Sequence, residues 1–395
     1  MFSILAIHGT PIYGYAFPLS VALLPFTFIM RDPAVMPRVA RWLLGATVAG
    51  VVGFVGSAAL NGAALEPAVL YTVSFGVVLY TASRLVANGA EAASLLAMSC
   101  LFTTLFYLIF GTFRTSISFV YLWKYGIGPP LAIAVVYFVS TRFRRTSLTV
   151  AVLLGFAGMS IALGFRSHGL VCAVAAIMTL AFASRSIPTA LKAGGSVLAV
   201  FLIAVILPAQ IEAGTFGEGV RERTLEQGST GANPLLAGRV EPPLTITAIA
   251  SKPVFGWGNV NEIDLATFSR AGALAVRAGL SPSAFQPFWV RQDGTVHLHS
   301  ALGEAWVAGG LASAVLPIAA LALLGVTISR GDIDNYPFVA LVAIQGLWDT
   351  LFSEWGYNRA LILALTCLLC VHVLRDRRTS TDTASSAGSA VAAGT

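Results

Sequence analysis

Charge is what this chain has least of. Asp, Glu, Lys and Arg together make up 11% of its 395 residues, against about 25% in a typical soluble domain. Hydrophobic residues make up 56% and the mean hydropathy is +0.80. A chain with so little polar side-chain surface cannot cover itself in water, so lipid is the expected solvent. Cysteine is scarce too. Cys100, Cys172, Cys367 and Cys370 all lie in apolar runs, which excludes a disulfide framework and reads them as buried small hydrophobes. There is no Walker loop, no G-x-G-x-x-G and no nucleophile elbow, so nucleotide-driven transport has no motif to rest on. The N-terminus lacks a basic region and a small-residue cleavage site, so a removable signal peptide is not expected.

What is present in quantity is long apolar runs. Eleven of them, at 12–30, 42–60, 67–85, 91–110, 121–139, 148–165, 169–184, 194–211, 300–328, 337–353 and 358–374, read as spanning helices of roughly 16–22 residues, the ninth longer. Basic residues recur in alternate connections: RDPAVMPRVAR (31–41), TRFRR (141–145), Arg185 with Lys192, Arg330, and RDRR (375–378). The positive-inside rule puts these on the cytoplasmic side, with the N-terminus outside and the C-terminus inside. The net charge of +6 is explained by that asymmetry, and no nucleic-acid partner is expected. The expected fold class is an all-α polytopic membrane protein of about eleven transmembrane helices. The chain divides into N-terminal transmembrane helices (1–211), a large, partly helical periplasmic loop (212–299), C-terminal transmembrane helices (300–374) and a small, polar, disordered cytoplasmic tail (375–395).

Residues 212–299 are the exception to the apolar pattern. Structureless loops of such length are uncommon unless functional. The loop carries Arg221, Arg223, Arg239, Lys252, Arg270, Arg277 and Arg291. A helix is expected around 218–227, a short amphipathic one in EPPLTITAIAS (241–251), a Pro/Gly turn in KPVFGWGNVN, and a membrane-surface helix in LATFSRAGALAVRAGL (265–280).

Three features on the outer face could cooperate. Arg166, in GFRSHGL, stands at a junction between two helices. Arg221, Arg223 and Arg239 sit in the large loop. His297 and His299 stand where the loop meets the ninth helix, in VHLHSALGEAWVAGG. Guanidinium forks bind phosphate in a bidentate way, so Arg166, Arg221, Arg223 and Arg239 are candidates to hold a diphosphate as its leaving charge grows. Histidine near neutral pH removes a proton from a hydroxyl, which makes His299 the candidate catalytic base. His297, Ser300 and Glu304 are candidate supporting or acceptor-side residues.

Plainer roles stand beside each. An arginine at a helix end anchors to the interface. Arg221 and Arg223 can pair with Glu222 or Glu226 on a solvated helix face. Trp257, Trp289 and Trp306 read as interface aromatics. The H-x-H pair has no carboxylate at a recognised ligand spacing, and the one D-x-D, Asp332 to Asp334, falls in a turn on the opposite face, so no metal and no cofactor is expected.

The loop and its exit resemble the O-antigen ligase and O-antigen polymerase superfamily of bacterial inner membranes. GRVEPPLTITAIASKPVFGWG (238–258) is similar to the family's Gly-Arg, short helix and Pro-x-x-Gly-x-Gly pattern. HSALGEAWVAGGLAS (299–313) is similar to its His-Asn helix with a Gly about eleven residues on, here Gly310. FRSHGLVCAVAA (165–176) is similar to its Ser-Arg-Gly helix start. Ser300 stands where the family has Asn, and Arg-Ser-His at 166–168 replaces Ser-Arg-Gly. The resemblance implies an inverting, metal-independent glycosyltransferase facing the periplasm. Its donor would be an undecaprenyl-diphosphate-linked glycan and its acceptor a lipid A core or a growing polysaccharide. It implies His299 as base, Arg239 on the donor diphosphate and Arg166 as the helix-start arginine. A polymerase using the same donor, a transporter or flippase of a polyprenyl-linked or anionic substrate, and a non-catalytic assembly partner remain the alternatives.

Overall fold

In a computed structural model, the residues described are 36–110, 119–183, 210, 213–215, 217, 218, 221, 222, 240–290, 294–330 and 335–392. They are predominantly helical, with no strand among them and a single isolated bridge between Val290 and Val296. The long helices are α1 (Arg38–Asn61), α2 (Ala68–Leu85) and α3 (Gly89–Phe110). Next comes α4, built from Phe119–Leu122, a π-helical turn at Trp123–Ile127 and Gly128–Arg142. Then follow α5 (Thr146–Ala162) and α6 (Arg166–Ala183). The loop region holds α7 (Pro242–Ser251), α8 (Leu265–Arg277) and α9 (Pro282–Trp289). The chain closes with α10 (Ala301–Ser329), α11 (Tyr336–Phe352) and α12 (Tyr357–Ala392).

Nine of the eleven expected spans coincide with these helices. The runs at 12–30 and 194–211 fall outside the described residues, apart from 210. Five helices, α1, α2, α3, α6 and α10, are long and apolar enough to cross a membrane, while α5 and α11 are apolar but shorter. The chain is thus an all-α, multi-pass membrane protein. One expected element differs. The tail that read as disordered continues α12 as far as Ala392, and its many alanines are the strongest of helix formers.

The outward faces of the helices carry the large apolar side chains. Trp42, Val48, Val52 and Val55 on α1, and Phe102, Leu105 and Ile109 on α3, are exposed. The inward face of α1 carries Ala40, Ala46, Gly50, Ser57 and Ala58. Lipid chains are as apolar as leucine, so helices in a bilayer gain by close approach of small residues rather than by burying large ones. The tightest case is α1 against α10. Ser313 Oγ donates to the Gly50 carbonyl at 2.9 Å and Ser57 Oγ to the Ala308 carbonyl at 2.7 Å. A Cβ at Gly53 would lie 2.8 Å from the Ser313 nitrogen.

Helix α10 is broken at Gly310, whose φ of 70° and ψ of −165° are not helical. The KPVFGWG turn enters this break. Trp257 N–H donates to the Val307 carbonyl and Gly258 N–H to the Ala308 carbonyl, each at 2.8 Å. Leu311 N–H donates back to the Val254 carbonyl at 3.0 Å. Backbone groups freed by the break are thereby paired, as any polar group buried among apolar helices must be. Neither side of the joint has room for a side chain. A Cβ on Gly310 would collide with the Val254 carbonyl oxygen, and one on Gly256 would lie 2.7 Å from both the Val307 and Ala308 carbonyl oxygens. Both residues also have positive φ.

A second apolar core forms where the loop region meets the helix ends. It joins Phe54 and Val69 of the bundle to Leu244, Ala248, Trp257, Ala271, Trp289, Leu298 and Val307. Trp257 and Trp289 are therefore core residues rather than interface aromatics. Each indole N–H meets a carbonyl, Ala248 at 3.0 Å and Val240 at 2.8 Å. Helix α8, expected on the membrane surface, packs against α7 and buries Thr267, Ala271 and Ala275, while Leu265, Leu274 and Val276 stay exposed. Residues 240–290 and 294–300 thus form a folded cap fastened to one end of the bundle.

Gly310→Ala and Gly256→Ala are each expected to lose most of the monodisperse protein recovered in detergent, because both add a Cβ where backbone already stands. Gly45→Ala, on an exposed face of α1 with nothing within 4 Å of the added carbon, should leave the yield unchanged. Size-exclusion recovery of the three variants checks this.

Candidate active site

The H-x-H pair owes its placement to extended backbone. Residues 294–300 return from α9, with His297 N–H donating to the Trp289 carbonyl at 3.1 Å and Val296 N–H to Asn261 Oδ1 at 2.7 Å. Side chains alternate along extended chain. Val296 and Leu298 therefore enter the cap core, while His297 and His299 share the opposite face with ring centroids 6.4 Å apart. Ser300 then ends the segment as the N-cap of α10, its Oγ accepting from Gly303 N–H at 3.0 Å.

The two imidazoles meet carboxylates from elements far away in sequence. His299 Nδ1 lies 2.7 Å from Glu241 Oε1, an ion-pair contact out of line for a hydrogen bond. His299 Nε2 lies 3.2 Å from Glu354 Oε1, and His297 Nδ1 lies 3.3 Å from the same oxygen. Glu241 is buried and precedes the two prolines that start α7. Glu354 stands in the turn between α11 and α12. Glu304, one turn into α10, is within electrostatic reach of Glu354 and Glu66 and accepts from the Trp355 backbone N–H. Glu66, in the turn between α1 and α2, is buried and accepts the Val260 N–H at 2.9 Å.

The carboxylates differ in protonation. Burial pushes Glu354 up, but the hydrogen bond from His297 and the charges of His299, His297 and Arg359 outweigh it and hold the carboxyl down at about 2. Burial dominates at Glu66 and raises it, opposed by the Val260 N–H and the His297 charge. The site therefore combines a firmly ionised carboxylate with one that favours its proton, around two imidazoles.

A polar string leads from Glu354 into the bundle. Arg359 Nη1 donates to the Glu354 carbonyl at 2.6 Å, and its Nε lies 3.8 Å from Asp349 Oδ1. Asp349 accepts from Ser353 Oγ at 3.1 Å and from Gln345 Nε2 at 2.9 Å. Gln345 Oε1 lies 3.2 Å from Nδ1 of buried His168 on α6.

The candidate residues divide into those that meet and those that do not. His297 and His299 meet at Glu354, with Glu304 beside that carboxylate, and Ser300 positions the helix that follows. Arg166 makes no hydrogen bond or ion pair with them. It is half-buried at the start of α6, with no hydrogen bond or ion pair among the described residues. Arg221 is exposed and pairs with Glu218 at 2.6 Å, one helical turn away. That pairing is the solvated-face role with a different partner. Arg223 and Arg239 lie outside the described residues. A cation among the described residues at the Glu354 turn is Arg359, which donates to the Glu354 carbonyl. It was missed along with Glu241, Glu354 and Glu66. A signal was there: WDTLFSEWGYNRA (348–360) places Asp349, Glu354 and Arg359 in an otherwise apolar stretch, and charges at helix junctions in a membrane are costly unless paired or used.

Among the described residues no group of three or more His, Cys, Asp or Glu side chains has the arrangement of a metal site. No protein-family model, curated protein or solved structure matches the chain.

The two glutamates give opposite pH signatures. Glu354 falls from an ordinary 4.5 to about 2, so its stabilisation is full above about 4.5 and is lost as pH falls toward 2. Glu354→Gln is expected to melt a few degrees below wild type at pH 6, with the gap closing as the pH drops. Glu66 is raised, so its ionised form opposes folding near neutrality. Glu66→Gln keeps an acceptor for Val260 and is expected to melt at or above wild type at pH 7, with that advantage vanishing below the usual carboxylate range. Thermal unfolding of the detergent-solubilised chain between pH 3 and 7 reads both.

Proposed function

We propose that this chain is a membrane glycosyltransferase of the O-antigen ligase type. In this reading it moves a glycan from undecaprenyl diphosphate to a lipid A core or polysaccharide acceptor, with inversion at the anomeric carbon and without a metal. The observation that carries the reading is His299, held on one ring nitrogen by buried Glu241 and turned on the other toward Glu354. An imidazole with a buried carboxylate at one ring nitrogen, on a side chain partly open to solvent, has the components of a general base.

In this reading the acceptor hydroxyl takes the place of Glu354 at His299 Nε2. Its oxygen attacks the anomeric carbon, the carbon–oxygen bond to the diphosphate breaks, and the hydroxyl proton passes to His299. Glu241 stabilises the resulting imidazolium. Arg239, two residues before Glu241 in the chain, and Arg166 are proposed to hold the diphosphate. Arg38, Arg41, Arg84, Arg142, Arg144, Arg145 and Arg330 lie at or just beyond helix ends away from the cap. By the positive-inside rule this supports a periplasmic cap and site in a bacterial inner membrane.

Proteoliposomes given a polyprenyl-diphosphate glycan and an acceptor, without nucleotide sugar or metal, should form new glycosidic bonds. His299→Ala should lower turnover about 10²–10⁴-fold, and Glu241→Gln by less, because it keeps the ring in place but not the charge. A ladder of longer lipid-linked products from donor alone assigns the polymerase reaction. Movement of intact donor across the bilayer without bond formation assigns transport. Wild-type turnover in His299→Ala would overturn the proposal.

A further inference from the structure

A groove of about 510 Å³ lies on the seam between the cap and the bundle. Its size falls within the roughly 300–1,000 Å³ of small-molecule sites, and none of its lining residues belongs to the histidine cluster. Leu60 near the end of α1, with Pro253, Val254 and Phe255 of the glycine turn, supplies the apolar walls, and Asn61 and Lys252 supply the polar groups. Leu60 and Phe255 are 70% and 64% exposed. Large apolar side chains left open at a cap–membrane boundary face either lipid or a ligand that brings apolar surface with it.

The groove is graded along the bundle. Val254 meets α10 just past the break, through the Leu311 N–H, where the exposed residues Leu311, Val315 and Ile318 begin. Their spacing of four and three puts them on one face of the helix. Lys252 stands at the other end. Its ammonium donates to Asn61 Oδ1 at 2.7 Å and lies 4.1 Å from the centroid of the Trp257 ring. Asn61 ends α1 one turn beyond Ser57, which meets Ala308 on the cap side of the break. Trp306 donates its indole N–H to the Pro253 carbonyl at 2.9 Å, the posture of an aromatic at headgroup level. The groove therefore runs from a lipid-facing stripe up to a held cation. Asp264 is within electrostatic reach of both Lys252 and Arg270, so cations outnumber anions at this corner among the described residues. A free phosphate would use the ammonium and leave the apolar walls in water. A neutral acyl chain would use the walls and not the charge. A phospholipid supplies both, with its phosphate at headgroup level and its chains below.

We infer that this groove binds an anionic phospholipid of the surrounding bilayer, with its phosphate on Lys252 and one acyl chain along Leu60, Val254 and Phe255. A Lys ammonium has three N–H donors, and Asn61 accepts from one of them, so the charge is oriented without being used up. The bound lipid touches the end of α1 and the glycine turn, the two parts held together where the turn enters α10. Binding to that joined state stabilises it by mass action. The inference rests on the fold and stands apart from the glycosyl transfer proposed above.

The test uses the full chain, delipidated in a non-ionic detergent, with native mass spectrometry and thermal unfolding as readouts. The probes are dioleoylphosphatidylglycerol, dioleoylglycerol and sodium phosphate. Wild type should retain phosphatidylglycerol on release from the micelle and melt higher with it than with dioleoylglycerol, which has the chains but no phosphate. Sodium phosphate should not displace the lipid. Lys252→Gln keeps a donor for Asn61 but loses the charge, and should lower the affinity about fivefold, as expected for one lysine at an anionic lipid. Phe255→Ala removes only an exposed ring and reads the apolar half separately; it should weaken both lipids alike. Arg142→Gln, at a helix end away from the cap, should leave retention unchanged. Wild-type affinity in both Lys252→Gln and Phe255→Ala would overturn the inference. So would equal retention of dioleoylglycerol, displacement by phosphate alone, or an equal loss in Arg142→Gln. Loss of the lipid on forming a dimer would assign the groove to a second copy of the chain instead.

Discussion

The joint between the 254–258 turn and the break in α10 is the constraint on which the rest of this molecule depends. A helix interrupted within an apolar bundle exposes carbonyls and N–H groups that no water or lipid can satisfy. Here the loop's own backbone satisfies them, through Trp257, Gly258 and Val254. The same contacts fasten the cap to the bundle by main chain rather than by side chains alone. Because α10 begins two residues after His299, the joint also fixes where the histidines stand relative to the helix ends.

Around that fixed segment the carboxylates come from three directions: Glu241 from the start of α7, Glu354 from the turn after α11, and Glu66 from the turn after α1. None is near His299 in the chain, and each arrives at the end of an apolar element. Concentrating ionisable groups in this way is costly unless they neutralise one another. The ion pairs of His297 and His299 with Glu354 and Glu241, and the raised Glu66, show how that cost is offset. The site is therefore both an electrostatic knot joining cap and bundle and the one place among the described residues where an imidazole is set between two carboxylates.

The balance of donors and acceptors also separates two parts of the cluster. His299 meets a carboxylate at each ring nitrogen, whereas Trp355 and Arg359 present only donors. Of the arginines first read as a single diphosphate cluster, Arg223 and Arg239 lie outside the described residues. Arg221 pairs with Glu218, Arg166 opens α6, and Arg359 of α12 holds the Glu354 turn.

Much was legible in the order of residues alone. Hydropathy and the recurrence of arginine marked nine helices at nearly their observed bounds, because backbone in lipid must pair within its own segment and a long apolar run has no other stable form. H-x-H in an extended segment put both imidazoles on one face, because side chains alternate there. The glycines of VFGWG and AGG marked turns and a special helix position. What only the tertiary structure decided was which distant groups those features meet: that the glycine turn enters the glycine break, that α8 packs against α7, and that Glu241 and Glu354 flank His299. Local pattern reports backbone pairing and burial within a segment, whereas ion pairs and crevices arise from the relative placement of helices, which no segment encodes by itself.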